Sequence, residues 1–288
     1  MSRTPHILIL IHRDSIYEGN DHYLEKISEI WREQGMKITV QRGPGPMVDA
    51  DAAILHINAT SVPPEYTAYA KRYPVVLNGG VTDISKRHIS RHLVHRGDGY
   101  EGPVVVKTNG NYGGRCDAGL AARKSQVRRV LGQWRQQLPW YCRSQVQQYP
   151  IYPTPAKVPK LVWLNPDLVV ERFLTERDGD LYCLRTWLFL GDREGNSLTW
   201  SSDPIVKNRS MVRRVEGPGA PPELRRMREE LKFDFGKFDY GIVDGKAVLY
   251  DTNTTPTWAG GGEAFRARAL VMAEGIKAYL PRKTISYR

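Results

Sequence analysis

Two oxygen-bearing side chains lie one residue apart near the end of the chain, in the segment AVLYDTN that precedes TTPTWAGGG. Because side chains alternate between the two faces of a strand, Asp251 and Asn253 would point to the same face. Carboxylate and carboxamide oxygens are ligands that a hard divalent cation prefers, so the spacing indicates a magnesium site. The alternative is a turn, in which Asp and Asn side chains bond their own backbone.

A lysine at the end of an apolar strand is the second chemical feature. The segment VVVKTNGNYGG places Lys107 just before a loop rich in Gly and Asn, whose backbone N–H groups could close over phosphates. A lysine that ends a buried strand also needs an anion or a carboxylate as partner. The loop does not match the Walker pattern GxxxxGK[ST], and Gly and Asn also form ordinary hairpin turns, so this alternative stays open.

The charged residues that could bind a nucleotide are spread along most of the chain. Three lysines could neutralise a polyphosphate, and two carboxylates with an amide could hold its metal ion. In chain order the residues are Lys86, Lys107, the segment VERFL at 170–174, Lys207, Asp239, Asp251 and Asn253. This order along the chain, more than any one of the segments, indicates a nucleotide site.

Arg185 interrupts the apolar run LYCLRTWLFL and therefore needs a partner. A phosphate or a substrate carboxylate would serve, and so would a buried carboxylate of this chain. Glu171, flanked by Val170 and Arg172 on a second apolar segment, is one candidate for such a structural ion pair. The sequence leaves these alternatives open.

The elements that must position these residues begin with alternating strands and helices. Apolar runs predict strands at 5–12, 37–41, 52–58 and 74–78. Helical spacing of apolar residues predicts a helix between the first two strands, after Asp21 and before Gly35, and a second at 63–73. Strands that alternate with helices over about 80 residues predict a small parallel α/β domain.

The later part of the chain has a different pattern. It predicts strands at 102–107, 168–174, 181–191 and 247–253, and a proline-rich extended connector at 149–159. It also predicts a basic helix at 83–95, an Arg-rich amphipathic helix at 118–137 with its charge at 123–135, and helices at 221–231 and 263–280.

Composition limits the class of protein. The chain of 288 residues is 41% hydrophobic and carries a formal net charge of +11, which favours an anionic partner such as a nucleotide, a polycarboxylate or a nucleic acid. It has no apolar run of membrane-spanning length, and its opening apolar run is too short for a signal peptide. Three widely spaced cysteines argue against a disulfide framework. We therefore expect a cytoplasmic protein.

In the order of these residues, the sequence resembles the ATP-grasp superfamily, in particular carboxylate–amine ligases such as D-alanine–D-alanine ligase, glutathione synthetase and the ribosomal-protein glutamate ligases. The segments TERDGDLYCLRTW and GKFDYG also resemble small bacterial ATP-grasp proteins. The resemblance covers almost the whole chain and implies a fold that is α/β and α+β. It implies a parallel α/β domain at 1–82 and two lobes that clasp ATP, one at 83–170 and one at 171–288.

The resemblance also implies a set of nucleotide-binding residues. Lys86 and Lys107 match its first two lysines, and Lys207 matches the lysine that reaches the triphosphate. Glu171 and the backbone of Leu174 match the adenine-binding linker, and Asp178 matches the ribose-binding carboxylate. The full set of implied ATP-binding residues is Lys86, Lys107, Asn111, Tyr112, Gly113, Gly114, Glu171, Arg172, Phe173, Leu174, Asp178 and Lys207.

The resemblance implies Mg²⁺, with Mn²⁺ as an alternative, held by Asp239, Asp251 and Asn253. It implies that Lys237 or Arg185 lies near the oxyanion of the reaction. Many of the ligases have an arginine where this chain has Lys237, and lysine supplies the charge without the bidentate fork. Lys86 and Lys107 are also closer in sequence than in the family, and the resemblance then implies a shortened first lobe.

The activity implied by the resemblance is an ADP-forming ligase that makes an amide or peptide bond through an acylphosphate. Its partners would be small-molecule or peptide carboxylates and amines, and a homodimer is left open. A phosphotransferase that phosphorylates a small molecule is the second hypothesis, since it would share every ATP-binding residue. A nucleotide-dependent RNA-binding or scaffold protein is the third, supported only by the Arg-rich helix and the surplus positive charge.

Overall fold

The computed structural model describes residues 4–15, 22–117, 120, 126–127, 130, 133–134, 137–146, 148–257 and 262–280. The predicted Arg-rich helix, at 118–137, therefore falls largely outside the described residues. In the part of the chain that is described, no helix is long and apolar enough to cross a membrane.

The described residues before about position 80 form the parallel α/β unit that the sequence predicts. Its elements are β1 (His6–Ile11), α1 (Tyr23–Glu33), β2 (Lys37–Arg42), β3 (Ala52–His56), α2 (Pro64–Ala70) and β4 (Val76–Leu77). The strands pair in parallel in the order β2-β1-β3-β4. All six residues of β1 are buried, which explains why this strand is apolar on both faces.

A small antiparallel sheet follows. It contains β5 (Val104–Thr108), β6 (Ile151–Tyr152) and β7 (Leu168–Arg172) in the order β6-β5-β7. Val104 and Val106 of β5 pack with Leu168 and Val170 of β7 in one core, and the opposite face of the same strands carries the charged residues Lys107 and Glu171.

The predicted basic helix at 83–95 is wrong in length, because only α3 (Lys86–Ile89) is helical. Ser90 is extended, and the chain after it runs beside β7: Val94 donates its N–H to the Val170 carbonyl at 2.8 Å. Leu93 forms a bridge with Glu171 in the same place. Pairing with a strand thus replaces the helix, since the segment lacks a continuous apolar stripe.

The largest sheet is antiparallel. It contains β8 (Glu176–Asp178), β9 (Leu181–Leu190), β10 (Arg193–Ser201), β11 (Met211–Glu216), β12 (Phe235–Val243) and β13 (Lys246–Asn253). The order is β11-β10-β9-β12-β13, and β8 pairs with β9. The sequence predicted β9 and β13 but missed β10, β11 and β12.

Two helices cover the large sheet, α4 (Pro222–Glu230) and α5 (Glu263–Ala273). The predicted helix at 263–280 continues past α5 as a 3-10 helix, Glu274–Ala278. Met272 and Ile276 pack in one core with Ile9 of β1 and Phe235 of β12. This shared core fixes the first sheet against the large sheet, so the residues of both are held in one arrangement.

Candidate functional site

A cavity that we call the first cavity lies between the small sheet and the large sheet. It receives side chains from α3, β5, β7, β9, β12 and β13. Eight of the residues predicted from sequence line it: Lys86, Lys107, Glu171, Arg172, Phe173, Leu174, Asp239 and Asp251. Residues that are up to 165 positions apart in sequence, as Lys86 and Asp251 are, therefore share one site.

Its apolar walls lie beside its charged residues. Val105, Phe173, Ile205, Val206 and Tyr250 contribute to the lining. A cavity with apolar walls and a few fixed polar groups suits a flat heterocycle that carries hydrogen-bonding edges. The arrangement therefore offers apolar walls for a base and, in the lysines and carboxylates, partners for charged groups.

Lys107 and Glu171 form a buried ion pair at the wall formed by β5 and β7. Lys107 Nζ lies 2.7 Å from Glu171 Oε2, and the two residues are only 9% and 4% exposed. Lys107 also donates to the Tyr250 carbonyl at 3.3 Å. Glu171 Oε1 is buried and accepts no hydrogen bond within the described residues. This oxygen is a ready acceptor for an amino group that enters the cavity.

The backbone of Leu174, which the sequence assigned to a ligand, already has a partner. Its N–H donates to the Arg172 carbonyl at 3.1 Å. Both residues contribute to the lining of the first cavity. A contact between the Leu174 N–H and a base would therefore replace a local hydrogen bond.

The two carboxylates of the predicted metal site face each other across neighbouring strands. Asp239 of β12 and Asp251 of β13 are directly opposite partners in the ladder. Opposite side chains on antiparallel strands point to the same face, with their Cβ atoms about 5 Å apart. Each has a lysine partner: Asp251 Oδ1 lies 2.6 Å from Lys86 Nζ, and Asp239 Oδ2 lies 2.8 Å from Lys237 Nζ. Thr186 also donates to Asp239 Oδ1 at 2.9 Å.

These contacts set the protonation of both lysines. Burial alone would lower the pKa of Lys86, but the Asp251 carboxylate and its hydrogen bond outweigh burial, and the pKa is raised. Burial also acts to lower the pKa of Lys237, and the Asp239 carboxylate, with Asp251 as a weaker influence, raises it. Both lysines are therefore cations at neutral pH.

The carboxylate pair fits a magnesium ion, which often takes one or two protein carboxylates and completes its shell with water and phosphate oxygens. Among the described residues, no group of three or more His, Cys, Asp or Glu side chains forms a denser metal site. Asn253 is different: its Oδ1 accepts the Thr255 N–H at 2.8 Å. This is the bond expected of a turn, in which an Asn side chain accepts a backbone N–H two residues further along the chain.

A second cavity adjoins the first. It is lined by polar and charged side chains, including Lys207, Lys237, Arg214, Thr186 and Asn208, and by the apolar residues Tyr23, Leu188 and Met211. Leu184, Val206 and Asp239 line both cavities. Asp239 therefore lies where a group in one cavity would meet a group in the other, with the Lys237 ammonium beside it.

Arg185 does not line either of these cavities. Its guanidinium forms a bidentate pair with Glu176, with Nη2 to Oε1 at 2.7 Å and Nε to Oε2 at 2.8 Å. Its neighbour Thr186 reaches Asp239, so strand alternation puts Arg185 on the opposite face of the sheet. The need for a partner is confirmed, but the partner is Glu176 and not Glu171. The hydrogen bonds that Arg185 donates to the Glu176 carboxylate raise the pKa of Arg185.

The predicted ribose ligand Asp178 also lies outside the first cavity. Its Oδ2 accepts the Trp200 Nε1–H at 2.8 Å, and its side chain is 63% exposed. Asp178 is the last residue of β8 on the outer part of the large sheet. The sequence spacing that suggested a ribose contact is therefore not matched by its position.

The glycine-rich loop at Asn111–Gly114 contacts Thr60, a few residues after β3, and does not line the first cavity. The Asn111 N–H donates to Thr60 Oγ1 at 2.8 Å, and the Thr60 N–H donates to Asp117 Oδ1 at 2.9 Å. Gly114 has a φ of +74°, and a Cβ there would come within 2.5 Å of the Ser144 carbonyl, so this position requires glycine. The Asn111 N–H, one of the groups predicted to contact phosphates, therefore already has an acceptor in Thr60.

Sequence reasoning missed Thr186, Tyr250 and Arg214 as lining residues. Thr186 and Tyr250 belong to strands that were predicted, and alternation places Thr186 on the same face as Asp239. Arg214 lies on β11, which sequence reasoning missed, so no signal assigned it to the site.

Comparison with known proteins supports the fold. No protein-family model matches the sequence, and no characterised protein matches it at a significant level. Among solved structures, D-alanine–D-alanine ligase from Bacillus anthracis is similar over 96% of both chains, with 11% identity and a TM-score of 0.50. A RimK-domain ATP-grasp protein from Sphaerobacter thermophilus matches 94% of this chain and 98% of its own, with 13% identity and a TM-score of 0.47.

The macrocyclase MdnC from Microcystis aeruginosa, solved with its precursor peptide, matches 93% of this chain and 99% of its own, with 9% identity and a TM-score of 0.46. Identities this low bear on the fold alone. The antiparallel sheets that flank the first cavity and the parallel sheet that precedes them agree with the likeness to D-alanine–D-alanine ligase. The chain therefore has the ATP-grasp fold.

Proposed function

We propose that the protein is an ATP-dependent, ADP-forming ligase that joins a carboxylate to an amine. The observation that carries this proposal is the meeting of two cavities at Asp239. The first cavity has apolar walls and buried lysines suited to a nucleotide, and the second has the cations Lys207, Arg214 and Lys237 suited to a carboxylate. A phosphoryl group at their junction would face a substrate acid directly.

In the first cavity, the proposed roles follow from the contacts. Glu171 Oε1 accepts a hydrogen bond from the amino group of the base, and Phe173 and Leu174 contact its apolar faces. Lys86 and Lys107 neutralise phosphate oxygens. To do so, each lysine shares its ammonium group between a phosphate oxygen and its present carboxylate partner, Asp251 or Glu171. Asp239 and Asp251 would hold Mg²⁺, which supplies positive charge against the phosphates.

The proposed reaction has two steps. A carboxylate oxygen of the acid attacks the γ-phosphorus, the bond from that phosphorus to the bridging oxygen breaks, and ADP leaves. A neutral amine then attacks the carbonyl carbon of the acylphosphate, inorganic phosphate leaves, and the nitrogen loses a proton to phosphate or solvent. Lys237, whose ammonium lies 2.8 Å from Asp239, is positioned to stabilise the oxyanion of the second step.

The experiment that tests this proposal replaces the unknown amine with hydroxylamine. An acylphosphate reacts with hydroxylamine to give a hydroxamate, whereas a phosphate ester does not. With ATP, Mg²⁺ and a panel of mono-, di- and peptide carboxylates, we expect ADP and hydroxamate in equal amounts for the correct acid. A product that keeps a stable phosphate in hydroxylamine would contradict the ligase proposal and support the phosphotransferase.

A further inference from the structure

The strand β11 forms one edge of the large sheet and is fully exposed along its six residues, Met211–Glu216. Within the part of the chain that the structure describes, it pairs with β10 and has no second neighbour. Met211, Val212 and Val215 are 43%, 58% and 47% exposed. In an antiparallel ladder, every second residue directs its N–H and C=O away from its partner. An exposed edge of this kind is a template for another strand.

This edge leads into the second cavity. Met211 and Arg214 belong to β11 and also line that cavity, and Lys207 and Asn208, which line it too, precede the strand. Arg214 lies on the cavity face, where its Nη2 donates to Ser197 Oγ at 2.9 Å. A chain that paired with β11 would therefore run beside the opening of the cavity, within reach of Lys207 and Lys237.

The charges of β11 decide what could pair with it. Self-pairing of two copies about the centre of the strand would place Arg213 opposite Arg214 twice, and like charges directly opposite each other are unfavourable. Arg213 lies 3.6 Å from Asp178, but both side chains are more than half exposed, so this contact neutralises it weakly. Glu216 is the strand's one acidic residue. An acidic chain is the complementary partner.

We infer that β11 docks an extended acidic peptide as an added strand, and that a carboxylate of this peptide enters the second cavity between Arg214, Lys207 and Lys237. Backbone hydrogen bonds supply affinity in this mode of recognition, and the side chains supply specificity. The inference rests on the proposed function, because it names an acidic peptide as the carboxylate substrate of the same site.

The first test uses fluorescein-labelled hexaglutamate as the probe and fluorescence anisotropy as the measurement. We expect hexaglutamate to bind at least tenfold more tightly than hexalysine of equal length. Arg214→Glu should weaken binding at least tenfold, and Arg226→Glu, the same change on the exposed face of α4, should alter it less than twofold. Equal effects of the two variants would overturn the inference.

The second test examines the backbone pairing itself. Two hexaglutamates are N-methylated at alternate residues, one set at odd and the other at even positions. An added strand directs one set toward β11 and the other toward solvent, so one peptide should lose at least tenfold in affinity and the other should retain it. Equal losses, or full displacement of hexaglutamate by an equal concentration of glutarate, would overturn the docked strand.

Two further measurements separate the inference from its rivals. Sedimentation velocity of the full chain should show a monomer. A dimer that the Val212→Asp substitution dissociates would mean that β11 pairs with a second copy of the chain, and would overturn the inference. The thermal shift with ATP and Mg²⁺ is measured on the same samples. A nucleotide shift without hexaglutamate binding refutes the docking inference and leaves the ligase proposal intact. Binding of hexaglutamate without a nucleotide shift refutes the ligase proposal and leaves the docking surface intact.

Discussion

Replacement of Asp251 by Asn should destabilise the protein as well as stop its reaction. Asp251 Oδ1 lies 2.6 Å from Lys86 Nζ, and the Lys86 side chain is only 3% exposed. Removal of one member of a buried ion pair costs about 3–5 kcal/mol, because the other charge stays buried without a partner. Since the Asp251 side chain is 35% exposed and water can reach it, we expect the lower end, about 3 kcal/mol.

A loss of this size lowers the melting temperature by roughly 5–10 °C for a chain of this length. Asp244→Asn is the matched control, since Asp244 lies exposed in the turn between the same two strands and its φ of +49° suits Asn. Urea unfolding should place the control within about 0.5 kcal/mol of the parent protein. The Asp251 variant should also form no ADP, because one of the two carboxylates proposed to hold Mg²⁺ is gone.

The pH dependence gives an independent check. In the parent protein the pKa of Lys86 is raised, so the stability from its ion pair is fully present below the unfolded pKa and is lost as pH rises through the folded pKa. In Asp251→Asn, burial is the largest remaining influence and lowers the pKa of Lys86. The unfolded state then binds more protons, so the stability of the variant should increase from pH 7 to about pH 10. If the Asp251→Asn variant and the parent protein had parallel pH profiles and equal stability, the buried ion pair of Lys86 with Asp251 would be refuted as a source of stability.

The remaining predictions concern the nucleotide, the oxyanion and the contact of Asn78 with the start of β12. ATP with Mg²⁺ at a hundred times its dissociation constant should stabilise the protein by about 2.7 kcal/mol, and Lys107→Met should remove most of this gain in a thermal-shift assay. Lys237→Ala should slow hydroxamate formation about a hundredfold, whereas Arg185→Met should lower stability and leave the rate per folded molecule within a few-fold. Asn78→Ala should cost about 2–4 kcal/mol in urea unfolding, since the buried Asn78 side chain bonds the backbone of residues 234 and 235 three times at 2.8–3.0 Å.

The sequence predicted the elements whose residues are apolar because both of their faces are buried. HILILI of β1, AAILH of β3 and VVVKT of β5 are fully buried strands, and all three were predicted. The order of lysines, carboxylates and the linker along the chain then led to the ATP-grasp fold, which is confirmed. Burial on both faces leaves one direct mark in the sequence, a continuous run of apolar residues, and this run can be recognised without a structure.

Two of the missed strands, β10 and β11, lack this mark, whereas β12 was missed although most of its residues are buried. The segment REGNSLTWS of β10 contains Gly, Asn and Ser, and MVRRVE of β11 is exposed throughout. Their conformation comes from the ladder with β9 and with each other, which sequence periodicity does not show. The predicted helix at 83–95 failed for the same reason, since pairing of its second half with β7 is a tertiary contact.

The structure brings only some of the predicted site residues to the first cavity. Asp251 reaches the cavity, but Asn253 turns its oxygen to its own backbone. Arg185 and Thr186 are neighbours on β9, which has apolar residues on both faces, so the sequence could not tell which face meets the cavity. The ion pair of Lys86 with Asp251 joins residues 165 positions apart, beyond the reach of local patterns.

The most direct test of the central claim is a crystal structure with Mg²⁺ and a non-hydrolysable ATP analogue. The account predicts that the base lies by Glu171 and Leu174, that the metal ion contacts Asp239 and Asp251, and that the terminal phosphate reaches the junction of the two cavities beside Lys237. An analogue bound elsewhere, or bound in the first cavity with its phosphates directed away from Asp239, would contradict it.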